Sequence, residues 1–367
     1  MATALLDRSP VGKSVPVIGV ITNPNSKKNR RKHNRVAELQ AIVGEFGLVR
    51  QTPSTDAIGA VIGEFKDRGV DFWVSDGGDG ALFWMLNKAN EALGHGVASL
   101  PDHLRYALPT NGGTIDYVAR RAGIRGKAEQ ILKKLVDTYR SGGSFAESMV
   151  PSLLLTGTQI GPDGREHAFE KVGFATAVAG VGNTFFDKYY KARIPGPKVI
   201  VEVISKTALS FIVDQIPFVG SRFPQDMLTY GREVLKMKPA RVWCDGRELP
   251  WGEYSTIACG AFKINLGGVI KMFPWAGKGN LHLSAGCPDT WDIIANLPRM
   301  ATGRRLSSKD LYDAPGRELI VEATTSELLR PNVDGEFVNN VKRLVIRPGP
   351  KFRIPRIDAK RHDANAS

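Results

Sequence analysis

Between residues 15 and 139, apolar positions follow two alternating patterns. Short β-branched runs read as buried strands at 15–22 (VPVIGVIT), 49–52, 72–74 and 105–108. Between them, apolar residues spaced three and four apart read as helices. One takes Val36, Leu39, Ile42, Val43 and Phe46 and is stopped by Gly47; a second spans 55–65 through Ile58, Val61, Ile62 and Phe65. A third spans 81–93 (Leu82, Phe83, Met85, Leu86), a short one takes Tyr117, Val118 and Ala119, and a last spans 128–139. Such βα alternation predicts a mostly parallel sheet with ligands outside the carboxyl ends of its strands. From Met149 the pattern changes to short β runs at 152–156, 168–175, 198–205, 240–244, 255–264 and 318–324. Pro162-Asp163-Gly164 and Cys244-Asp245-Gly246 are tight-turn signals, so this half reads as an antiparallel β-sandwich-like domain with helical insertions.

These patterns divide the chain into a flexible leader (1–14), an α/β domain (15–141) and a β-rich domain (142–347), with Ser141-Gly142-Gly143-Ser144 as the hinge. A strand at 348–357 is expected to return to the first domain, and 358–367 reads as a polar tail.

The polar positions carry the chemistry. The run at 72–74 ends in Ser75-Asp76-Gly77-Gly78-Asp79-Gly80 and passes at once into a helix. Glycines permit close backbone approach, and amides at a helix start face an anion, so strand, glycine turn and helix form a phosphate cradle. Asn23-Pro24-Asn25-Ser26 ends the first strand and reads either as a ligand edge or as a plain Asx turn. Lys27, Lys28, Arg30, Arg31, Lys32 and Arg35 follow with no acidic residue among them. They form a solvated face from which one or two can steer a polyphosphate.

Composition narrows the class. A chain of 367 residues suffices for two cores, and 42% hydrophobic with 24% charged content fits a globular protein. The net charge of +13 favours anionic partners such as nucleotides and lipid headgroups. Nucleic acid is not expected, since no zinc-finger or helix-turn-helix pattern occurs and the basic residues are dispersed. Cys244, Cys259 and Cys287 have neither disulfide nor metal spacing, which fits a reducing cytoplasm. No run approaches the roughly 18 apolar residues of a membrane span, so a lipid would be met peripherally at a bilayer surface. A homodimer is an allowed assembly.

Residues 76–81 resemble the GGDGT signature of the diacylglycerol kinase catalytic-domain superfamily, which includes sphingosine kinases and bacterial lipid kinases and, more distantly, NAD kinases. Gly77, Gly78, Asp79 and Gly80 match, and Ala81 replaces Thr. Asn23-Pro24 resembles the family's first motif. Pro109 to Arg120 resembles its PxGTxNDxAR motif through Gly113, Thr114, Ala119 and Arg120, with Asp116 and Tyr117 standing where the family has Asn and Asp. Phe169 to Ala175 is similar to the family's Gly-Phe segment before a helix. Lys278-Gly279 stands where lipid kinases commonly carry an Asp-Gly that supports magnesium, so that accessory metal site is expected to be absent or rebuilt. Asp289 and Asp292 nearby serve equally well as helix caps. Asp334-Gly335-Glu336 is locally a hairpin turn and also resembles the family's catalytic Asp-Gly-Glu.

The resemblance implies an NAD kinase/diacylglycerol kinase-like fold and an ATP-dependent lipid kinase. Such an enzyme would move the γ-phosphoryl group, with Mg²⁺, to a hydroxyl of a diacylglycerol- or sphingoid-like lipid. It assigns Asp334 as general base and Glu336 as its partner. Nucleotide contacts would come from Asn23, Ser26, Gly77, Gly78, Asp79, Gly80, Gly113, Thr114 and Asp116, and metal contacts from Asp79 and Glu336. The aromatic, proline-rich segment 185–238 is the candidate acceptor lid. The departures at Ala81, Asp116, Tyr117 and Lys278 favour a second reading, a nucleotide- or lipid-binding homologue with weak or no turnover. An NAD kinase-like activity is a third.

Overall fold

Parallel pairing brings four strand ends to one edge. In the computed structural model β1 (Ile18–Thr22), β2 (Gly47–Gln51), β3 (Phe72–Asp76) and β4 (Tyr106–Pro109) form a sheet in the order β2-β1-β3-β4. The register sets Thr22 against Asp76 and Ser75 against Pro109, so the Asn23, Gly77 and Thr110 turns leave side by side. The structure describes residues 17–360 except 27, 31, 181–182, 185–186, 189–196, 215–229, 231–232, 234–235, 267 and 269. The leader at 1–14, part of the tail at 358–367 and much of the expected lid at 185–238 lie outside the described residues.

Helices cover the sheet: α1 (Arg35–Val43), α2 (Asp56–Asp67), α3 (Asp79–Leu93), α4 (Leu100–His103), α5 (Tyr117–Ala122) and α6 (Ala128–Arg140). The apolar spacing is matched by burial of Leu39 and Val43 on α1, Ile58, Ile62 and Phe65 on α2, and Leu82, Phe83, Met85 and Leu86 on α3. Gly19 lets α2 sit directly on β1, because a Cβ there would fall 2.5 Å from the Phe65 ring. The stop of α1 is Gly44, in the left-handed half of backbone space at φ 58°, and not Gly47, which opens β2 in extended conformation. Helix α3 begins at Asp79, two residues before the expected Ala81, so Asp79 and Gly80 belong to its first turn.

The second half is mostly antiparallel. β5 (Glu147–Ile160), β6 (Glu166–Gly173) and β7 (Ala175–Gly180) follow α6; helix α7 (Pro197–Asp214) precedes β8 (Lys238–Cys244), β9 (Arg247–Glu248), β10 (Glu253–Tyr254), β11 (Thr256–Gly260), β12 (Ile264–Leu266), β13 (Ile270–Met272) and β14 (Leu281–Gly286). After α8 (Thr290–Thr302) come β15 (Leu311–Gly316), β16 (Leu319–Ala323), β17 (Asn332–Val333), β18 (Glu336–Phe337) and β19 (Val341–Pro355). One sheet has the order β10-β8-β16-β19-β5-β6 with β9 on β8, a second β15-β14-β11-β7-β17-β18, and β12 pairs with β13 in a two-stranded sheet. Asp289 caps α8 by accepting from the Asp292 amide at 2.8 Å. β19 pairs with β5 over most of its length, and beyond it Ile357 accepts from the Arg125 amide, so the segment after β19 returns to the α/β layer.

Two further expectations fail. Residues 198–205, expected as a strand, lie within helix α7. The segment after Gly173-Phe174, expected as a helix, is β7, paired with both β11 and β17.

Candidate active site

The glycine turn meets a second glycine loop backbone to backbone. A Cβ on Gly78 would lie 2.7 Å from the Gly113 Cα, and one on Gly113 would lie 2.6 Å from the Gly78 Cα. The Gly112 amide donates to the Gly77 carbonyl at 2.9 Å. Gly77 is therefore a packing glycine, closed in by Ala81 and Ser26. Gly78 is the N-cap of α3 and makes no side-chain cap, so the first-turn amides of this 15-residue helix face forward, as helix geometry requires.

A cavity of about 460 Å³ opens in front of this turn. Its first wall is polar: Asn23, Asn25, Ser26, Arg30, Gly78, Asp79, Gly80, Gly113 and Thr114. The rest of the lining comes from the antiparallel half, with Asp334, Gly335 and Glu336 and the apolar Ile264, Leu266, Met272, Phe273 and Phe337. Of the predicted residues, only Gly77 and Asp116 stand behind the lining.

Asp334 and Gly335 form the two-residue turn between β17 and β18, with φ 54° and 95°. Positive φ at both centres is the hairpin geometry that Asp-Gly favours. The turn pushes the Asp334 side chain into the protein, where it is buried. Oδ1 accepts from the Ala175 amide at 2.9 Å and from the Tyr117 hydroxyl, and the Phe174 amide donates to both oxygens at 3.0 Å each. Burial pushes its pKa up to about 7, with those hydrogen bonds opposing the rise and the Glu336 charge adding to it. Glu336 packs on Gly80 so closely that a Cβ there would collide with its carboxylate. Its pKa is raised by burial and held back by a hydrogen bond from Trp84.

Asp79 turns both oxygens onto the start of α5, accepting from the Tyr117 and Val118 amides at 3.1 Å each. Burial, then the charge of Asp116, pushes its pKa up to about 8, with the two amides opposing and Asp334 contributing. Asp79 is thus largely a neutral acid at pH 7. Asp116, at φ 53°, accepts from the Gly113 amide at 2.8 Å and holds the second glycine loop. Burial raises its pKa against the pull of Lys28, whose Nζ is 3.6 Å away.

Asn23 accepts from the Asn25 amide at 2.8 Å, so the Asx turn forms and still lines the cavity. Of the described members of the basic run, Arg30 reaches the lining. Lys28 pairs with Asp116, Lys32 with Glu129, and Arg35 with both Asp76 and Glu129. Asp76 itself is fully buried, although the glycine motif places it at the turn. It accepts from Thr22 Oγ1, Asn29 Nδ2, Arg35 Nε and Thr110 Oγ1 at 2.8, 3.0, 2.8 and 3.3 Å. It ties three strand ends together and holds the turns in place. Residue-by-residue reading overlooked Asp76, Asn25 and the contact between Tyr117 and Asp334. The signal for Asp76 was an acidic residue in an apolar strand, which must find a buried partner.

The carboxylates do not assemble into a metal cage. Among the described residues no three His, Cys, Asp or Glu side chains are grouped to hold an ion. Asp79 is committed to amides, and Lys278 sits in the Gly277–Asn280 turn, away from the cavity lining.

No protein-family model matches the sequence, and no curated protein matches it. Solved structures do share the fold. A Bacillus anthracis str. Sterne protein provisionally described as a diacylglycerol kinase aligns with a TM-score of 0.61 at 14% identity, covering 94% of this chain and 98% of its own. A second, described as a diacylglycerol kinase from the same organism, aligns at 0.51 and 13% identity over 94% and 97% of the two chains. A third, again provisionally described so, aligns at 0.54 and 15% identity over 90% and 94%. At these identities the likeness establishes the fold and leaves the activity to the site.

Proposed function

We propose that the protein is a nucleoside-triphosphate-dependent phosphotransferase whose acceptor is a lipid alcohol of the diacylglycerol or sphingoid type, working in the cytoplasm at a membrane surface. One observation carries this reading: the glycine cradle of Gly78 and Gly113 and the buried Asp334, brought from different halves of the chain, line the same cavity. Phosphoryl transfer needs the donor cradled and an acceptor hydroxyl held near a base. ATP fits the polar wall, where Cβ-free backbone, the α3 start, Thr114, Ser26 and Arg30 suit phosphates. The apolar wall suits a hydrocarbon chain. Asn332 lines it, and its Nδ2 is buried without a partner among the described residues, a donor suited to a second oxygen of the acceptor. Mg²⁺ does not fit as a resident ion, because the described residues supply no ligand set for it; it would arrive bound to the nucleotide, with Glu336, a lining carboxylate hydrogen-bonded by Trp84, nearby. No helix among the described residues is long and apolar enough to cross a membrane.

Labelled phosphate from ATP is expected on one fraction of a membrane lipid extract, and label on no acceptor would refute the proposal. ATP at about 100 times its Kd should add about 2.7 kcal/mol of stability in a thermal shift. Gly113→Val, which thrusts a side chain into the cradle, should remove that shift.

A pH effect follows from Asp79. Below about 8 it is mainly neutral and tolerates a polyphosphate; above that it is an anion beside one. ATP affinity is expected to fall at least about tenfold from pH 7 to 9, and Asp79→Asn should flatten the profile. Titration calorimetry across that range decides it.

A second reading, a binder without turnover, is favoured by the three donors that the Asp334 carboxylate already holds. It predicts the ATP thermal shift without transfer to any lipid.

A further inference from the structure

Resting on the lipid-acceptor reading, we propose that the protein docks on an anionic lipid bilayer through the β12–β13 hairpin and the adjoining end of α8, with Lys271, Arg304 and Arg305 as the cations and Trp275 as the apolar anchor.

Charge along this part of the chain is one-sided. Between Glu253 and Asp310 the only acidic residues are Asp289 and Asp292, while the same stretch holds Lys263, Lys271, Lys278, Arg299, Arg304 and Arg305. Both acids sit at the start of α8, where Asp289 caps the helix and Asp292 accepts from the Ser308 hydroxyl. The fold gathers the cations at the other end of that helix. A Cβ on Gly303, the C-cap of α8, would lie 3.1 Å from Lys271 Cδ, so the Lys271 stem crosses the helix end. The Arg304 amide donates to the Arg299 carbonyl at 2.9 Å, and Arg299 Nη1 donates to the Arg305 carbonyl at 3.2 Å. Arg299 is thereby used in closing the helix, where a cation also suits the helix dipole. Lys271, Arg304 and Arg305 are exposed, and no carboxylate among the described residues pairs with them.

Basic side chains elsewhere are matched. On the sheet that contains β8, β16 and β19, Arg241 faces Glu248, Arg343 faces Glu322, Arg347 faces Glu318 and Lys342 faces Glu166. A surface that pairs its charges internally gains solubility. One that leaves cations unmatched in an acid-poor stretch complements an anionic surface.

Two features favour a bilayer over another polyanion. In the turn that leaves β13, four residues beyond Lys271, Trp275 is 44% exposed, and indole rings settle at the headgroup level of membranes. The hairpin also belongs to the cavity. Ile264 pairs with Met272 and Asn265 with Lys271, so strand alternation sets Lys271 on one face and Ile264, Leu266 and Met272, which line the cavity, on the other. One hairpin thus joins the cationic surface to the apolar lining that suits a hydrocarbon chain.

The test is co-sedimentation of the full chain with vesicles of phosphatidylcholine, pure or mixed with phosphatidylglycerol. Wild-type protein should partition onto the mixed vesicles, more weakly as salt rises, and little onto the pure ones. Replacing Lys271, Arg304 and Arg305 together by Gln should lower the partition coefficient by about 100-fold, since each cation near an anionic surface is worth roughly fivefold. Trp275→Ser should lower it at every salt concentration. A triple variant that binds mixed vesicles as tightly as wild type would overturn the proposal. So would wild-type binding that ignores salt, which needs no variant to fold, or wild-type protein that leaves both vesicles in solution and binds a DNA duplex instead. The measurement requires neither ATP nor turnover. Salt-sensitive vesicle binding lost in the triple variant, from a protein that labels no acceptor, would uphold the docking face and defeat the phosphotransferase reading alone.

Discussion

Asp76→Ala is expected to destabilise the protein by about 3–5 kcal/mol in urea unfolding at neutral pH, the usual cost of removing one partner from a buried ion pair. Asp76 is wholly buried and Arg35 nearly so, with 2.7 Å between Oδ1 and Nη2. Truncation leaves the Arg35 guanidinium with Glu129 and the more distant Glu38 only, and removes the carboxylate acceptor of the Thr22 and Thr110 hydroxyls and one of the acceptors of the Asn29 amide. Burial by itself lowers the pKa of Arg35, yet its bonds to Asp76 and Glu129 more than reverse this. The contrast is Arg50 with Glu64, a bidentate pair on the surface, where Glu64→Ala should cost about 1 kcal/mol or less. Comparable losses at both sites would mean that Asp76 is not the clamp of the strand ends. Because Asn29 also donates to the Asn23 carbonyl at 3.1 Å, the surviving Asp76→Ala protein should bind ATP more weakly as well.

The clamp explains what could be read in advance and what could not. The strands and helices of the first half were legible because each is amphipathic or apolar over its own length, and burial of Val20, Val74, Leu82 and Ile131 follows the spacing. The partners of Asp76 come from residues 22, 29, 35 and 110, and no local pattern announces such a set. The basic run between 27 and 35 looked uniform, yet neutral, acidic and buried neighbours sort its members into different tasks. Arg35 goes inward, Lys28 and Lys32 to carboxylates, and Arg30 to the cavity.

In the second half the misreadings share a cause. PKVIVEVIS, within α7, is rich in β-branched residues and alternates over a few positions, which mimics a strand. Such propensity is weak and yields to tertiary context. Conversely, the small residues of Ala175–Gly180 suit a central strand because β11 and β17 press on both sides, and a Cβ at Gly180 would collide with the Ser255 backbone. At the site, Asp334 and Glu336 were legible as a hairpin and as a motif. The meeting of Asp334 with Tyr117, 217 positions away, was not, since it depends on the β17–β18 turn being delivered to the start of α5.

Asp334→Asn is expected to lower phosphate transfer by about 10³-fold or more while leaving the ATP thermal shift in place. The amide keeps the shape of the carboxylate and loses its basicity. In the wild-type protein activity should rise with pH through about 7, as Asp334 loses its proton. Stability should run the opposite way. The folded-state pKa lies above the unfolded value of about 4, so the folded protein holds this proton more tightly. The contribution is most favourable below pH 4, declines as pH rises towards 7, and becomes the full cost of a buried anion above it. Asp334→Asn should therefore be more stable than wild type at pH 8, by about 1–3 kcal/mol, and should show no such advantage at pH 4. Urea unfolding at the two pH values, run beside the transfer assay, tests both halves. Transfer that survives the substitution would remove Asp334 as the base. An unchanged stability difference between pH 4 and 8 would mean that its carboxyl titrates in the ordinary range and is better solvated than its burial implies. A gain in stability joined to a loss of activity is what a base kept in an unfavourable place for its chemistry should produce.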